Sequence, residues 1–207
     1  MTVGLDAAEV EKDLCSGLLG CQAAGCGAVL GPWGWARERL VRGAGRVLPR
    51  RGRCRRCGRT QVLLPASVLL RRADAVTVVG AALLAKASGS GHRPIAVLLH
   101  VPASTVRGWL RRMAAVAEQV LAVLAVAAAE LGTEFAPPAA TADPVAAVVE
   151  LLGVLAAAVA RRLGGSCSPW RLAAVLTGGR LLSASGPDLG PGWAAGRNTN
   201  SLWAAGP

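Results

Sequence analysis

GHRPIAVLLHVPASTVRGWLRR, residues 91–112, has the pattern of two short helices joined by a tight turn. Pro94 is expected to open the first helix, because the missing N–H of proline costs nothing at the first helical position. Residues 100–102 interrupt the apolar period, so the second helix is predicted to run from residue 103 to about 112. Two helices in this arrangement can place one of them in the major groove of DNA.

On a helical wheel the predicted second helix has an apolar arc and a polar arc. The apolar arc holds Ala103, Val106, Trp109 and Leu110. The polar arc, which we predict to face base edges, holds Ser104, Arg107, Gly108 and Arg111. The residues of the two helices expected at phosphates are His92, Arg93, Thr105 and Arg112.

The order apolar-Ala-x-x-Leu-x-Val-Pro-x-x-Thr-Val-x-x-Trp-Leu-Arg-Arg over residues 95–112 resembles the helix-turn-helix of bacterial transposases and their companion proteins. It also resembles small regulators of the same architecture. The family usually has glycine at the turn, where this chain has His100. A positive φ costs histidine more than glycine but less than a β-branched residue. The alternative is a purely structural helical hairpin within a bundle.

The charge of the chain lies in its first half. The formal net charge of the 207 residues is +11, and residues 37–72 hold twelve arginines against one acid, Glu38. Arginine replaces lysine almost everywhere, which indicates a GC-rich genome, but codon usage does not explain where the charge lies. This concentration favours a polyanion as the partner. The alternative is a solvated basic face.

Four cysteines occur as two close pairs, Cys21-x4-Cys26 and Cys54-x2-Cys57. In a reducing cytosol such pairs are interpreted first as metal ligands rather than as disulfides. Two such knuckles can bring four thiolates into a tetrahedron around a structural Zn²⁺. Cys15 is an alternative to Cys21, because the first loop is longer than the usual knuckle. The other interpretation is a cluster of buried thiols without metal.

Around the second cysteine pair the pattern predicts a small β-ribbon. Residues 37–41 and 46–53 are expected to pair as a hairpin across residues 43–45, and residues 61–64 to add a third strand. The arginines of this ribbon that we expect to reach phosphates are Arg51, Arg53, Arg55 and Arg56. With four protein ligands the ion would have no open position and would stabilise the fold rather than catalyse.

This region resembles the N-terminal zinc ribbons of insertion-sequence proteins, especially an actinobacterial family of zinc-ribbon plus helix-turn-helix proteins. The matching residues are Cys26, Leu30, Pro32-Trp33-Gly34, Arg37, residues 50–58 (RRGRCRRCG) and residues 62–65 (VLLP). The family usually begins its first knuckle Cys-Pro-x-Cys, unlike this chain. The resemblance covers about residues 20–112 and implies an accessory or targeting factor of a mobile element.

A third helix is predicted in front of the helical pair. Asp74 is expected to cap its start, and the glycines of residues 89–91 to end it. Its predicted buried face holds Val76, Val79 and Leu83. Residues 68–113 are therefore expected to form a three-helix DNA-binding unit.

The second half of the chain is rich in alanine, valine and leucine. Residues 114–165 are expected to form a packed helical hairpin that is also a candidate dimer interface. A membrane hairpin is the alternative, because the mean hydropathy is +0.43. Against it, each apolar segment contains a carboxylate, Glu118 or Glu150, which costs about 2.5–3.5 kcal/mol at the middle of a bilayer.

The two ends of the chain carry weaker patterns. Residues 1–19 are acidic and contain no hydrophobic signal segment, which favours a cytoplasmic, nucleoid-associated protein. Residues 166–207 are rich in Gly, Pro and Ser and are interpreted as a short helix near residues 172–176 followed by a weakly ordered tail.

The acids of the second half do not predict an enzyme. A two-metal transposase needs three carboxylates held on a mixed sheet. Those after residue 112 are Glu118, Glu130, Glu134, Asp143, Glu150 and Asp188, mostly on predicted Ala-rich helices. Serine, cysteine and histidine do not occur in a triad-like or phosphate-loop context. We therefore expect a protein without catalytic activity.

Together these patterns predict a mainly α protein with a small N-terminal β zinc ribbon over residues 20–65. The ribbon is followed by a helix-turn-helix unit and the Ala-rich hairpin. The expected partner is double-stranded DNA, with a transposase or a second copy of the chain as further candidates. The alternatives are a transcriptional regulator of the same fold and a protein-interaction module that binds a transposase.

Overall fold

The computed structural model describes residues 2–4, 6–133 and 143–184, and about half of the chain is helical beside a small mixed sheet. The strands are β1 Thr2–Gly4, β2 Leu30–Trp35, β3 Arg39–Val41, β4 Gly45–Val47, β5 Arg50–Cys54 and β6 Thr60–Pro65. The helices are α1 Ala7–Cys15, α2 Val76–Ala87, α3 His92–Leu99, α4 Ala103–Glu130, α5 Pro144–Leu163 and α6 Pro169–Leu176.

The main sheet has the strand order β1-β6-β5-β2, with β1 parallel to β6 and the other neighbours antiparallel. Strand β2 contains Pro32, which has no N–H to donate to a ladder. It is tolerated because β2 lies at the edge of the sheet, where Pro32 stands opposite Gly52. Because β2 contains two glycines and a proline, its sequence has no strand pattern, and this strand was not predicted.

The predicted hairpin differs from the observed one. Strands β3 and β4 pair with each other as a separate two-stranded sheet, whereas β5 lies between β2 and β6 in the main sheet. The break falls at Pro49, which is buried and whose carbonyl accepts a hydrogen bond from the N–H of Ala36 at 2.8 Å. Since proline cannot continue the β3–β4 ladder, the chain leaves one sheet there and enters the other. The third predicted strand corresponds to β6.

The acidic segment at the start of the chain is part of the fold. Helix α1 is capped by the side chain of Asp6, which accepts a hydrogen bond from the N–H of Glu9 at 2.9 Å. Its apolar side chains Val10 and Leu14 are buried against the main sheet, in one cluster with Leu30 and Leu63 and with two of the cysteines. The sequence showed that this segment is acidic, but the apolar face of the helix was not predicted.

The five helices from α2 to α6 share one continuous core. Helix α4 runs without interruption from Ala103 to Glu130, so the boundary expected near residue 113 lies inside one helix. Helix α5 packs along the second half of α4, and both bury alanine, valine and leucine side chains in the same cluster as α2 and α3. The Ala-rich helices α4 and α5 therefore fold around a common interior with α2 and α3.

Two helix starts differ from their predictions. Helix α2 begins at Val76 after Ala75 and has no side-chain cap, because the carboxylate of Asp74 forms an ion pair with Arg42 at 3.0 Å. Helix α3 begins at His92, two residues before Pro94. Proline is accepted there because no N–H of the first helical turn has an intrahelical acceptor.

The turn between α3 and α4 has the geometry that its sequence required. His100 adopts a left-handed conformation with φ 51° and ψ 43°, and its N–H donates to the carbonyl of Val97 at 3.3 Å. Of the four residues on the predicted apolar arc of α4, Val106 and Trp109 are buried, and Ala103 and Leu110 are partly buried. The wheel assigned from the sequence therefore describes the first three turns of α4 correctly.

The short helix predicted near residues 172–176 is α6, and it belongs to the core rather than to a tail. Helix α6 buries Leu172 and Leu176, and the turn that follows buries Leu181 and Leu182. Its capping serine, Ser168, accepts a hydrogen bond from the N–H of Arg171 at 3.5 Å. The rest of the predicted tail, residues 185–207, and residues 134–142 between α4 and α5 lie outside the described residues.

Helices α4 and α5 are long and apolar enough to cross a membrane, by length and composition alone. In the structure 44% of the apolar window of α4 and 50% of that of α5 are buried inside the protein. Core helices of soluble proteins pass the same test, so these two helices are weak support for a membrane protein. The fold is compatible with a soluble one.

Candidate metal centre and nucleic-acid interface

The four cysteines of the two predicted pairs lie together. The Sγ atoms of Cys21, Cys26, Cys54 and Cys57 are all within 4.8 Å of one another. Those of Cys21 and Cys57 are 3.6 Å apart, as are those of Cys26 and Cys54. Four thiolates at the usual Zn–S distance of about 2.3 Å form a tetrahedron with edges of about 3.8 Å. The donor set and its spacing therefore fit a tetrahedral metal ion.

The second knuckle is shaped by its own backbone. The N–H groups of Arg56 and Cys57 both lie 3.4 Å from the Sγ atom of Cys54 and donate to it. The N–H of Gly58 donates to the carbonyl of Cys54 at 3.1 Å, which closes the turn. Gly58 has a φ of +70°, a conformation in which any other residue would be strained. The sequence Cys-x-x-Cys-Gly is thus the local cause of this geometry.

Cys21, rather than Cys15, completes the cluster. The N–H of Ala23 lies 3.4 Å from the Sγ atom of Cys21, and the side-chain amide of Gln61 lies 3.1 Å from it. Cys15 is exposed at the end of α1, and its thiol donates instead to the carboxylate of Glu11 at 3.4 Å. Gln61 had no recognisable signal in the sequence, because a glutamine on a short strand is common.

The electrostatics of the cluster are uneven. Burial raises the pKa of the Cys21 thiol, whereas the backbone N–H of Cys57 lowers the pKa of the Cys54 thiol. A bound cation would favour the thiolate form of every ligand. Since all four positions of a tetrahedral ion would be filled by protein, the chemistry open to this centre is structural stabilisation.

A second site lies at the start of α4. Side chains from the loop before α2 and from the first turns of α4 surround an open cleft of about 370 Å³, which we call the arginine cleft. Its lining residues are Arg71, Arg72, Ala73, Asp74, Ser104, Thr105, Gly108, Trp109, Arg111 and Arg112. Five of the residues predicted to contact DNA are therefore gathered in one place.

Positive charge in the arginine cleft is incompletely matched. The one acid of its lining, Asp74, is engaged by Arg42 outside the lining. Burial and the nearby guanidinium of Arg112 both lower the pKa of Arg72. The Nε atom of Arg72 is buried and has no hydrogen-bond partner among the described residues, although its Nη2 donates to the carbonyl of Leu182 at 2.6 Å.

The start of α4 adds a further positive end to this cleft. Pro102 precedes the helix and provides no side-chain cap, so the first N–H groups of a helix that is 28 residues long have no capping side chain. The helix dipole makes this end attractive to anions. Two residues of that first turn, Ser104 and Thr105, bring hydroxyl groups to the cleft.

The other predicted contact residues lie outside the arginine cleft. Arg107 is exposed on α4, and Arg93 and half-buried His92 stand at the start of α3. The ribbon arginines Arg53, Arg55 and Arg56 are exposed, and Arg51 is half-buried. Arg71 and Arg72 line the arginine cleft but were not predicted to contact DNA. They were counted in the basic stretch, but only the fold brings them beside the start of α4.

Comparison of the chain with protein-family models, with curated proteins and with solved structures finds no match.

Proposed function

We propose that this chain binds double-stranded DNA through the helical pair α3–α4, with a structural Zn²⁺ held by the four-cysteine cluster. The observation that carries the proposal is the arginine cleft. It combines four guanidinium groups, two hydroxyl groups and an uncapped helix start, and its acid is already paired. A phosphate of the DNA backbone supplies the negative charge that this lining lacks.

In this proposal, contacts to the DNA backbone and contacts to base edges use different residues of α4. Arg111 and Arg112 line the cleft and are suited to hold the backbone, while Arg107 is exposed one turn earlier. In this arrangement Arg107 is the residue suited to read base edges, whereas Arg111, which the helical wheel assigned to base edges, holds the backbone. In this proposal α3, the turn at His100 and α4 act as a helix-turn-helix.

The zinc ribbon has a supporting role in this proposal. Cys54 and Cys57 enclose Arg55 and Arg56 in one tight turn, so an ion bound there would fix two exposed arginines. A second, fixed set of positive charges increases the number of phosphates that the protein neutralises.

The resemblance of residues 20–112 to insertion-sequence proteins supports a role in a mobile element, and in this proposal the chain is an accessory or targeting factor without catalytic activity of its own. A transcriptional regulator would use the same surface. A protein-interaction module would not need it, and the binding experiment separates that function from the other two.

The test is binding of the zinc-loaded full chain to a labelled random 20-base-pair duplex, followed by fluorescence anisotropy at several salt concentrations. We expect affinity that falls steeply with salt, because counterions are released from each neutralised phosphate. The double variant Arg111→Ala/Arg112→Ala should weaken binding and flatten the salt dependence.

The matched control is Arg161→Ala/Arg162→Ala, which removes the same charge from the exposed end of α5. If both double variants lose the same affinity, only net charge matters and the cleft has no specific role. If the parent chain does not bind duplex DNA even at low salt, the proposal is wrong and a protein-interaction function is favoured.

A further inference from the structure

A half-exposed tryptophan lies on the edge strand of the main sheet. Trp33 on β2 keeps 52% of its surface in solvent, although the guanidinium carbon of Arg53 lies 4.4 Å from the centre of its ring. This is cation–π geometry, in which the guanidinium covers one face of the indole. With half of the side chain exposed, the opposite face is available to another flat group.

The neighbouring strand surrounds this ring with positive charge. On β5 the buried residues Gly52 and Cys54 face the interior, so Arg51 and Arg53, which alternate with them, project from the other face of the sheet. Side chains two positions apart on a strand are separated by about 7 Å along it. Two guanidinium groups are thus spaced along the face that carries Trp33.

A third arginine lies flat on the same strands. The Nε atom of Arg55 is 3.3 Å from the position that a Cβ would occupy on Gly31, so the absence of a side chain there leaves room for it. Gly31 stands opposite Arg53 in the β2–β5 ladder. We call this surface the ribbon face. Its residues are Trp33, Arg51, Arg53 and Arg55.

The positive charge of the ribbon face is not matched by acids on the strands that carry it. Strands β2, β5 and β6 contain no Asp or Glu. Two acids close to these strands in the sequence are already paired, Glu11 with Arg50 and Glu38 with Arg46. The Nε atom of Arg51 is buried and has no hydrogen-bond partner in the part of the chain that the structure describes. A polyanion is therefore the complementary occupant.

From this combination we propose that the ribbon face binds single-stranded nucleic acid, with one unpaired base stacked on Trp33 and the three arginines on the flanking phosphates. An arginine face alone would also accept a duplex, but the faces of paired bases are hidden in their stack. An open indole face favours unpaired bases, which offer a flat π-surface. This activity does not rest on duplex binding by the arginine cleft, which shares no residue with the ribbon face; Arg55 is the one residue that both proposals use.

The experiment measures binding of the zinc-loaded chain to a labelled 20-nucleotide oligothymidylate by fluorescence anisotropy in low salt. Trp33→Ala should weaken binding about tenfold, the loss typical of one stacked base, and Trp33→Phe should restore most of it. The matched control is Leu40→Ala, which removes an apolar side chain that is 76% exposed on β3. It should leave the affinity unchanged.

The results separate this inference from the proposed function. Arg111→Ala/Arg112→Ala should weaken duplex binding and leave oligothymidylate binding within about twofold, because the cleft lies on other elements. A chain that binds oligothymidylate but not duplex retains this inference while the proposed function fails. The inference is overturned if the oligonucleotide does not bind, if Trp33→Ala binds it like the parent, or if Leu40→Ala loses as much.

Discussion

The indole ring of Trp170 lies directly on Gly80, in the space that a side chain on Gly80 would need. Gly80 is in the middle of α2 and Trp170 is in the first turn of α6, so the contact joins α2 to the last helix of the described chain. Glycine weakens an isolated helix, but here it permits the close approach of α6. The sequence of α2 by itself gives no reason for a glycine at position 80.

Gly80→Ala should destabilise the protein by about 1–3 kcal/mol, because the added methyl group forces the tryptophan ring to move in a packed core. The matched control is Gly153→Ala on α5, where a Cβ would meet nothing within 4 Å. That change should stabilise the protein by about 0.5–1 kcal/mol through helix propensity. Chemical denaturation measures both. Equal effects of the two variants would contradict the packing argument.

The metal centre makes a prediction about each cysteine. The purified chain should contain about one zinc ion, and Cys26→Ser or Cys54→Ser should remove most of it, because one ligand of the tetrahedron is lost. Cys15→Ser and Cys167→Ser should keep the metal, since neither belongs to the cluster. Metal analysis by mass spectrometry checks this. Zinc loss in Cys15→Ser with retention in Cys21→Ser would reverse the assignment of the first ligand.

Arg107 and Arg55 should differ in the kind of binding that they support. If Arg107 contacts guanine, Arg107→Ala should cost about 1–3 kcal/mol on the preferred site and relax the choice of base at one position. Arg55→Ala should weaken all sequences alike and reduce the salt slope. Selection of bound duplexes from a random pool, followed by titration, measures both effects. Equal losses on every sequence for Arg107→Ala would contradict its role as a reader.

The ion pair between α1 and the sheet predicts a pH dependence. The hydrogen bond from Arg50 holds the pKa of Glu11 below its usual range. The stability from this pair is therefore present above the pKa of the unfolded carboxyl group and lost as the pH falls through the folded one. Because Glu11 is 38% exposed, Glu11→Gln should cost less than about 1 kcal/mol at pH 7.

The same variant should flatten the acid limb of the stability curve between about pH 5 and pH 3. The control is Glu38→Gln, whose partner Arg46 is 79% exposed, and this change should have little effect at any pH. Urea denaturation at several pH values measures both. An unchanged acid limb in Glu11→Gln would show that the pair contributes nothing to stability.

The parts of the fold that local sequence controls were predictable. The periodicity of α4 identified Val106 and Trp109 as buried, and the spacing of the cysteine pairs identified the four thiols that come together. The strands were harder. Gly31, Pro32 and Gly34 give β2 the composition of a turn, and only its place at a sheet edge makes it a strand.

The candidate sites divide in the same way. The metal centre depends on two tight turns, each formed within a few residues, so the sequence contained most of it. The arginine cleft requires Arg72 and Arg112 to meet although they are far apart in the chain. The position of Asp74 before α2 suggested a helix cap. Its carboxylate instead pairs with Arg42, which directly follows β3. Long-range neighbours of this kind have no local pattern.

By itself the sequence determined that the segments of α2 to α6 are helical, which four thiols can share a metal ion, and that the net positive charge lies in the first half. The tertiary structure alone decided the parallel pairing of β1 with β6, the placing of Trp170 on Gly80, and the meeting of the loop arginines with the start of α4. The reason is physical. Turns and helices follow from contacts between residues near in sequence, whereas strand order and clefts follow from how whole elements bury their apolar faces together.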